Sequence, residues 1–150
     1  MTRLPAPELA AALERLPAGR ALDLACGQGR HALWLNQHGW DVTAIDREAS
    51  SESTVRIDVV DLEKNEFTIQ PGGWDLIVCW LYWQPDLLPA IARGIRPGGV
   101  VALAGKTSGR FVTSLALYRQ AFSGWEEIAS GENEVRTFLI AIRPVEKLVD

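Results

Sequence analysis

Short apolar runs separated by turn residues divide this 150-residue chain into candidate strands. Several runs are apolar almost throughout, which is typical of strands buried on both faces of a parallel sheet. Clusters that contain Gly, Pro or Asn lie between many of the runs and indicate turns. The predicted strands span residues 22–25, 41–46, 55–61, 74–79, 100–104, 125–130 and 135–142.

Helical spacing occupies several of the intervals between these strands. Leu9, Leu13 and Leu16 share one face of a predicted first helix, which residues 17–19 end. Residues 30–38 are compatible with a second helix, and Gly39 is its expected C-cap. The other two predicted helices pack through Leu88, Ile91 and Ile95, and through Phe111, Leu115, Tyr118 and Phe122.

The segment from residue 22 to residue 46 organises the rest of the chain. Strand, glycine loop, helix and strand make one βαβ unit, whose crossover is nearly always right-handed and parallel. Gly27 and Gly29 let the backbone turn sharply and let a ligand approach it closely. Asp46 ends the second strand 19 positions after Gly27, near the spacing of about 20 expected for an acid that binds ribose hydroxyls. The unit therefore predicts a nucleoside cofactor, and a purely structural turn is the alternative.

The glycines alone leave the identity of this cofactor open. Gly27, Gly29 and Ala32 fit the dinucleotide fingerprint G-x-G-x-x-G/A, so NAD is one candidate. Asp23 argues against NAD, because it lies inside the first strand, four positions before Gly27, where a dinucleotide fold usually has only apolar residues. Negative charge near the loop suits a cationic ligand and is poorly suited to a pyrophosphate.

The sequence DLACGQGR at residues 23–30 resembles motif I of the class I S-adenosylmethionine (SAM) methyltransferases, in its D-x-x-C-G-x-G-R form. The resemblance implies that Asp23 lies near the methionyl amine of SAM and that Asp46 binds the ribose. Ala25 takes the place of a third glycine that many members carry. The resemblance also implies a Rossmann-like α/β fold: a mostly parallel sheet with an antiparallel C-terminal strand and helices on both faces.

Further cofactor contacts follow from the same resemblance. Family members commonly place an acid after the third strand, near the adenine amino group, and Asp61 stands at that position. A surface acid that caps a loop is the alternative interpretation of Asp61. The residues implied to bind the cofactor are Asp23, Ala25, Cys26, Gly27, Gly29, Asp46, Arg47, Asp61, Leu62 and Cys79.

The methyl acceptor is predicted to bind at the carboxyl end of the fourth strand. The sequence WDLIVCWLY at residues 74–82 is similar to the family's D-L-I/V strand, and R-P-G-G at residues 96–99 is a turn frequent in the family. The Asn/Asp-Pro-Pro-Tyr/Phe motif of members that methylate DNA or protein amides does not occur here. Trp80, Tyr82 and Trp83 suggest an apolar or flat acceptor, although Trp80 also fits the core. We expect a small-molecule acceptor, as for members of the tellurite-resistance and thiopurine type, which methylate soft atoms.

Methyl transfer from a sulfonium is an in-line displacement, so the main task of such an enzyme is apposition of the two reactants. A general base is needed only if the acceptor must lose a proton. His31 and Tyr82 are the weak candidates for a catalytic residue, with Asp86 and Lys106 as further possibilities. His31 fits a non-catalytic histidine at a helix start equally well. Arg30 fits either an anionic ligand group or a structural pair.

The link between the second and third strands departs from the family pattern. Nine positions separate Asp46 from Val55, whereas a parallel crossover with its helix needs at least about 10–12 residues. Residues 47–53 are therefore expected to hold at most one helical turn. The missing helix would expose the adenine side of the pocket or one face of the sheet, which a second subunit could cover in a homodimer.

The composition of the chain limits the kinds of molecule that it is expected to bind. The net charge of −4 and the isoelectric point of about 5.2 argue against nucleic acid, which binds basic surfaces. We find neither a signal peptide nor an apolar run of the ~18 residues that a membrane helix needs. Two cysteines and two histidines without ligand-like spacing predict no metal site. We therefore expect one domain over residues 1–150, located in the cytoplasm.

Two alternatives to a methyltransferase remain at the level of sequence. One is a non-catalytic SAM-binding or regulatory module, which the shortened link leaves open. The other is an NAD(P)-dependent oxidoreductase, which would need an apolar first strand and a further substrate region.

Overall fold

The computed structural model describes residues 4–49 and 55–145. These residues form a seven-stranded sheet with helices on both faces. Two short 3-10 turns span Leu62–Lys64 and Pro85–Leu87. The elements in chain order are α1 (Pro7–Leu13), β1 (Arg20–Leu24), α2 (Arg30–Gln37), β2 (Asp41–Asp46), β3 (Ile57–Val59), β4 (Trp74–Trp80), α3 (Leu88–Gly94), β5 (Ile95–Lys106), α4 (Leu115–Ala121), β6 (Glu126–Glu132) and β7 (Arg136–Ile142).

The order of the strands in the sheet is β3-β2-β1-β4-β5-β7-β6. The first five strands of this order are parallel, and β7 is antiparallel to both of its neighbours. The chain builds outward from β1 through β2 to β3, and then returns to place β4 on the other side of β1. The strand order thus reverses between β1 and β4, which is where open α/β sheets bind their ligands. The predicted fold class is confirmed, including the antiparallel C-terminal strand.

Two apolar layers cover the two faces of the sheet, because side chains alternate along each strand. On one face, Leu9 and Leu13 of α1 and Leu35 of α2 pack against Ala21 and Val78. On the other face, Ile91 of α3, Tyr118 of α4 and Phe122 just after α4 pack in one cluster with the strand residues Leu22 and Ile77. Asp23 follows Leu22, and its side chain therefore belongs to the α1–α2 face.

The βαβ unit agrees closely with its prediction. Strand β2 has the predicted limits, and α2 begins at Arg30 and ends one residue short of the prediction. His38 is the C-cap, and Gly39 follows it with φ of +89°, the left-handed conformation that ends many helices. This unit is predictable because its signals are local.

Several predicted boundaries are wrong, including that of the first helix, which ends before Leu16. Phe111 is not on the fourth helix, which begins at Leu115; it lies in the preceding loop with 69% of its surface exposed. Ile95 is not part of α3 but is the first residue of β5, where it pairs with Trp74 before the R-P-G-G turn. Strand β3 has only three residues, because only residues 57–59 pair with β2.

The link from β2 to β3 is only partly described. Residues 47–49 carry no helix. Residues 50–54, which include Ser50, Ser51 and Ser53 of the predicted short link, lie outside the described part of the chain.

The carboxylate of Asp75 ties three strands together at their amino-terminal ends. It accepts a hydrogen bond from the backbone N–H of Arg20 at 2.8 Å, and it pairs with the guanidinium of Arg96 in the R-P-G-G turn. These two interactions, the Arg20 N–H first, hold the pKa of Asp75 below its ordinary value. This contribution to stability is therefore present above pH 4 and is lost as the pH falls through the lowered pKa.

We predict that Asp75→Ala lowers the free energy of unfolding by about 1–3 kcal/mol at pH 7, because it leaves the Arg20 N–H without its acceptor. Urea unfolding measures the change. Asp58→Ala is the control, since Asp58 forms an exposed pair with Arg56 that is worth at most about 1 kcal/mol. Equal losses in the two variants would contradict the role of Asp75.

Candidate cofactor and acceptor site

Two cavities open at the carboxyl ends of the parallel strands, beside the point where the strand order reverses. The smaller cavity, of about 240 Å³, lies at the glycine loop and the start of α2. The larger cavity, of about 480 Å³, lies between the ends of β2 and β3 on one side and the segments after β4 and β5 on the other. Ala25 and Leu81 line both cavities, so the two form one continuous site.

Ala25 and Leu81 share an unusual backbone conformation. Each follows the last residue of its strand, β1 or β4, and each has a positive φ, +53° for Ala25 and +61° for Leu81. A left-handed conformation is disfavoured for a residue with a Cβ and rare for a bulky one. The N–H of Leu81 donates to the carbonyl of Ala104 at 2.8 Å, which fixes the turn against β5. Strain of this kind gathers at functional sites.

The glycine loop is closed by the acid at the end of β2. Asp46 accepts hydrogen bonds from the N–H of Gly27 and the N–H of Glu48, both at 3.0 Å. Gly27 has φ of +60°, and a Cβ placed there would meet no atom within 4 Å, so the loop leaves open space beside it. Gly29 has φ of +82° and is the N-cap of α2, but it lines neither cavity. Both glycines thus make the sharp turn that their spacing predicts, whereas only Gly27 lines a cavity.

Asp23 is the buried charge of the site. Only 1% of its surface is exposed, and it lines the smaller cavity with Cys26 and Gly27. The carboxyl group of Asp23 accepts a hydrogen bond from the backbone N–H of Ala32, whereas its Oδ2 atom has no partner among the described residues. The pKa of Asp23 is raised to about 7, mainly by burial and in smaller part by the charge of Asp46, against the opposing effects of the Ala32 hydrogen bond and of Arg30. A cationic group in the cavity would favour the ionised form.

The first turn of α2 anchors the segment before α1. Arg30 donates from Nη1 to the carbonyl of Leu4 at 3.3 Å, and Nε2 of His31 accepts from the N–H of Ala6 at 3.1 Å. His31 is buried, and burial, with the charge of Arg30, lowers its pKa to about 4. Its basic nitrogen is therefore engaged by the backbone, which does not support His31 as a general base. The sequence carried no signal for this long-range contact.

The larger cavity brings together most of the other predicted residues. Asp46, Arg47, Asp61 and Leu62 line one side of it. Asp61 also caps the short turn after β3, since its Oδ1 accepts from the N–H of Glu63 at 2.9 Å. The capping interpretation of Asp61 is thus confirmed, and its position on the cavity wall is compatible with a second contact.

The opposite side of the larger cavity is aromatic with a basic rim. Tyr82 and Trp83 line it, as the sequence predicts for this segment. Lys106, Arg110 and Phe111 line it as well. The last two were not predicted at the site, because Phe111 fitted the helical pattern of α4. The hydroxyl of Tyr82 donates to Oε1 of Gln84 at 2.6 Å, and burial, followed by nearby acids, raises the pKa of Tyr82 to about 12.

The two cysteines have different positions. Cys26 is half-buried and lines the smaller cavity. Cys79 is buried in the core and lines neither cavity, so the structure does not bring it to the site with the other predicted residues. Burial raises the pKa of both thiols, to about 12 for Cys79. Both are therefore protonated near pH 7.

The described residues hold neither a group of three or more His, Cys, Asp or Glu side chains that could bind a metal ion nor a helix long and apolar enough to cross a membrane.

The strand order and the position of the site define the fold of the Rossmann-like methyltransferases. TehB from Haemophilus influenzae superimposes with a TM-score of 0.80 at 18% identity, over 93% of this chain and 62% of that one. The 1,6-didemethyltoxoflavin-N1-methyltransferase of Burkholderia thailandensis, solved with S-adenosylhomocysteine, superimposes with a TM-score of 0.67 at 20% identity, over 91% of this chain and 75% of that one.

Sequence comparison gives the family. Residues 1–76, half of the chain, match the family of the tellurite resistance protein TehB, and the chain belongs to that family. The ubiquinone biosynthesis O-methyltransferase of Xanthomonas campestris pv. campestris is 34% identical over 109 residues, which cover 63% of this chain and 46% of that enzyme. The chain thus spans about half the length of the curated relatives it matches. The resemblance stated from motif I is confirmed.

We predict that Asp23→Asn stabilises the ligand-free chain at pH 8, because it removes an ionised group from an apolar layer. The pKa of about 7 lies above the ordinary value of 3.8 for an aspartate, so the wild-type chain loses stability as the pH rises between these values. The gain is at most about 4 kcal/mol at pH 8 and disappears towards pH 4. Urea unfolding at a series of pH values measures it, and a gain independent of pH would rule out this origin.

Proposed function

We propose that this chain is a SAM-dependent methyltransferase that transfers a methyl group to a small-molecule acceptor. The observation that carries the proposal is the buried carboxyl of Asp23, whose Oδ2 lacks a partner among the described residues, at a cavity formed by a glycine loop. The names of the relatives, each a methyltransferase, support the same activity.

The residues present fit SAM at both ends of the ligand. Asp23 provides an acceptor for the amino group, and its charge suits a cation. Asp46 keeps lone pairs for ribose hydroxyls, since each carboxylate oxygen accepts more than one hydrogen bond. Arg47, Asp61 and Leu62 continue the wall towards the place where an adenine would lie. When bound, SAM supplies an electrophilic methyl group on a sulfonium.

The acceptor is proposed to enter the aromatic part of the larger cavity. Leu81, Tyr82, Trp83 and Phe111 offer flat or apolar surface there. Neither His31 nor Tyr82 suits a general base near pH 7, because Nε2 of His31 accepts a backbone hydrogen bond and the pKa of Tyr82 is about 12. The chain's residues would therefore act mainly by orienting an acceptor that is already nucleophilic and by excluding water.

Several finer expectations belong to this proposal. The net charge of −4 favours a small acceptor over nucleic acid. The two free cysteines are compatible with a cytoplasmic location. A homodimer through the β3 edge, where Val59 is exposed, remains a prediction that sedimentation of the full chain would test.

The first experiment is thermal unfolding with SAM, S-adenosylhomocysteine, NAD and NADP in parallel. A ligand at 100 times its Kd stabilises by about 2.7 kcal/mol, which corresponds to roughly 5–10 °C for a domain of this size. We expect a shift with SAM and S-adenosylhomocysteine only. A shift with NAD or NADP alone would favour an oxidoreductase. Binding of SAM without turnover across an acceptor panel would favour a non-catalytic module.

We predict that Asp46→Ala lowers the affinity for S-adenosylhomocysteine by at least tenfold, since it removes the proposed ribose acceptor and the bond that closes the glycine loop. Isothermal titration calorimetry measures the change. The control is Asp41→Ala, which alters an exposed acid at the opposite end of the same strand. Unchanged affinity in Asp46→Ala would refute the ribose assignment.

A further inference from the structure

Trp80 is a second buried polar group at the smaller cavity. It is the last residue of β4, 6% of its surface is exposed, and it lines the cavity. Its ring packs against His31, with centroids 5.8 Å apart and planes at 69°, and against Phe138 at 6.2 Å. These contacts restrict the ring, yet Nε1 has no hydrogen-bond partner in the described part of the chain. A buried indole N–H usually has a partner, so this one is unusual.

Two residues that line this cavity thus each carry a buried polar atom without a partner among the described residues, one a donor and the other an acceptor. The donor is Nε1 of Trp80, and the acceptor is Oδ2 of Asp23. The two residues lie on neighbouring strands and on the same face of the sheet, but they are not hydrogen-bonded to each other. Leaving both atoms unpaired is costly unless a ligand satisfies them. A ligand that does so must present a donor to Asp23 and an acceptor to Trp80.

The α-amino-acid group has this combination of chemistry. Its ammonium is a charged donor, and its carboxylate is a charged acceptor that takes strong hydrogen bonds from N–H groups. Arg30 lines the same cavity, and its positive charge would favour a carboxylate there.

We propose that Trp80 binds the α-carboxylate of the cofactor's amino-acid portion through its indole N–H, while Asp23 binds the ammonium. This inference rests on the proposed function and adds a residue to it. It also changes the interpretation of Trp80 from a core residue alone to a core residue with a binding role. The strand end would thus recognise a zwitterion by one group from β1 and one from β4.

The test is Trp80→Phe, which deletes the N–H and keeps an aromatic ring. Two probes are titrated by calorimetry: S-adenosylhomocysteine, and its decarboxylated analogue 5′-(3-aminopropylthio)-5′-deoxyadenosine, which keeps the amine. We expect Trp80→Phe to weaken binding of S-adenosylhomocysteine about tenfold and to change binding of the analogue less than twofold. Any fall in the unfolding temperature of the ligand-free variant would reflect the packing lost with the smaller ring, because the deleted donor has no partner among the described residues.

Trp74→Phe is a matched control. Trp74 is the first residue of the same strand, and its indole nitrogen is also buried and without a partner among the described residues. Its ring lies under the guanidinium of Arg20 at 4.4 Å and lines neither cavity. This variant should bind both probes as the wild type does.

Each other outcome has a definite meaning. Equal weakening of both probes in Trp80→Phe, or no weakening of either, would overturn the binding role of Trp80. Failure of the wild-type chain to bind S-adenosylhomocysteine would instead overturn the proposed function. If Trp80→Phe does not fold, the indole ¹⁵N–¹H resonance of Trp80 in the wild type replaces it. That resonance should move downfield with S-adenosylhomocysteine but not with the analogue, and identical behaviour with both would refute the proposal.

Discussion

The separation of the chain after the neighbouring strands β1 and β4 is the constraint on which the site depends. Each strand is followed by a residue with a left-handed backbone, Ala25 or Leu81, and the next helices, α2 and α3, cover opposite faces of the sheet. This opens a crevice between two strands that are otherwise paired along their length. Both cavities share these two residues, so the cofactor side and the acceptor side are connected through them.

The crevice also explains why the chain accepts an unfavourable charge. Asp23 would be less costly as an apolar residue, since it faces the layer that α1 and α2 cover. Its raised pKa records this cost, and Trp80, which lines the same cavity, adds a donor without a partner among the described residues. Stability is thus given up at the position where polar groups can meet a ligand, a trade that is common at binding sites.

The sequence predicted the βαβ unit well because its signals lie within a few residues of one another. The glycines of the loop, the acids Asp23 and Asp46 and the short apolar runs are all local signals, and together they predict this part of the fold. The contacts between Leu4 and Arg30 and between Ala6 and His31 join distant segments and leave no periodic signal. Phe111 matched a helical spacing by coincidence, and tertiary structure placed it at the mouth of the larger cavity instead. The positive φ of Leu81 is likewise invisible in a residue type that rarely adopts it.

The fold alone does not select a cofactor, because dinucleotide-binding and methyltransferase folds share the glycine loop and the acid after β2. The difference lies in one strand position. A carboxylate at Asp23, buried and close to the loop, would repel a pyrophosphate and attract an ammonium or a sulfonium. The same carboxylate needs a neutralising partner to ionise fully near pH 7, and a cationic ligand provides one. Under the proposed function, binding and ionisation are therefore coupled at Asp23, and the carboxyl group that disfavours a pyrophosphate becomes charged most readily when a cationic ligand is present.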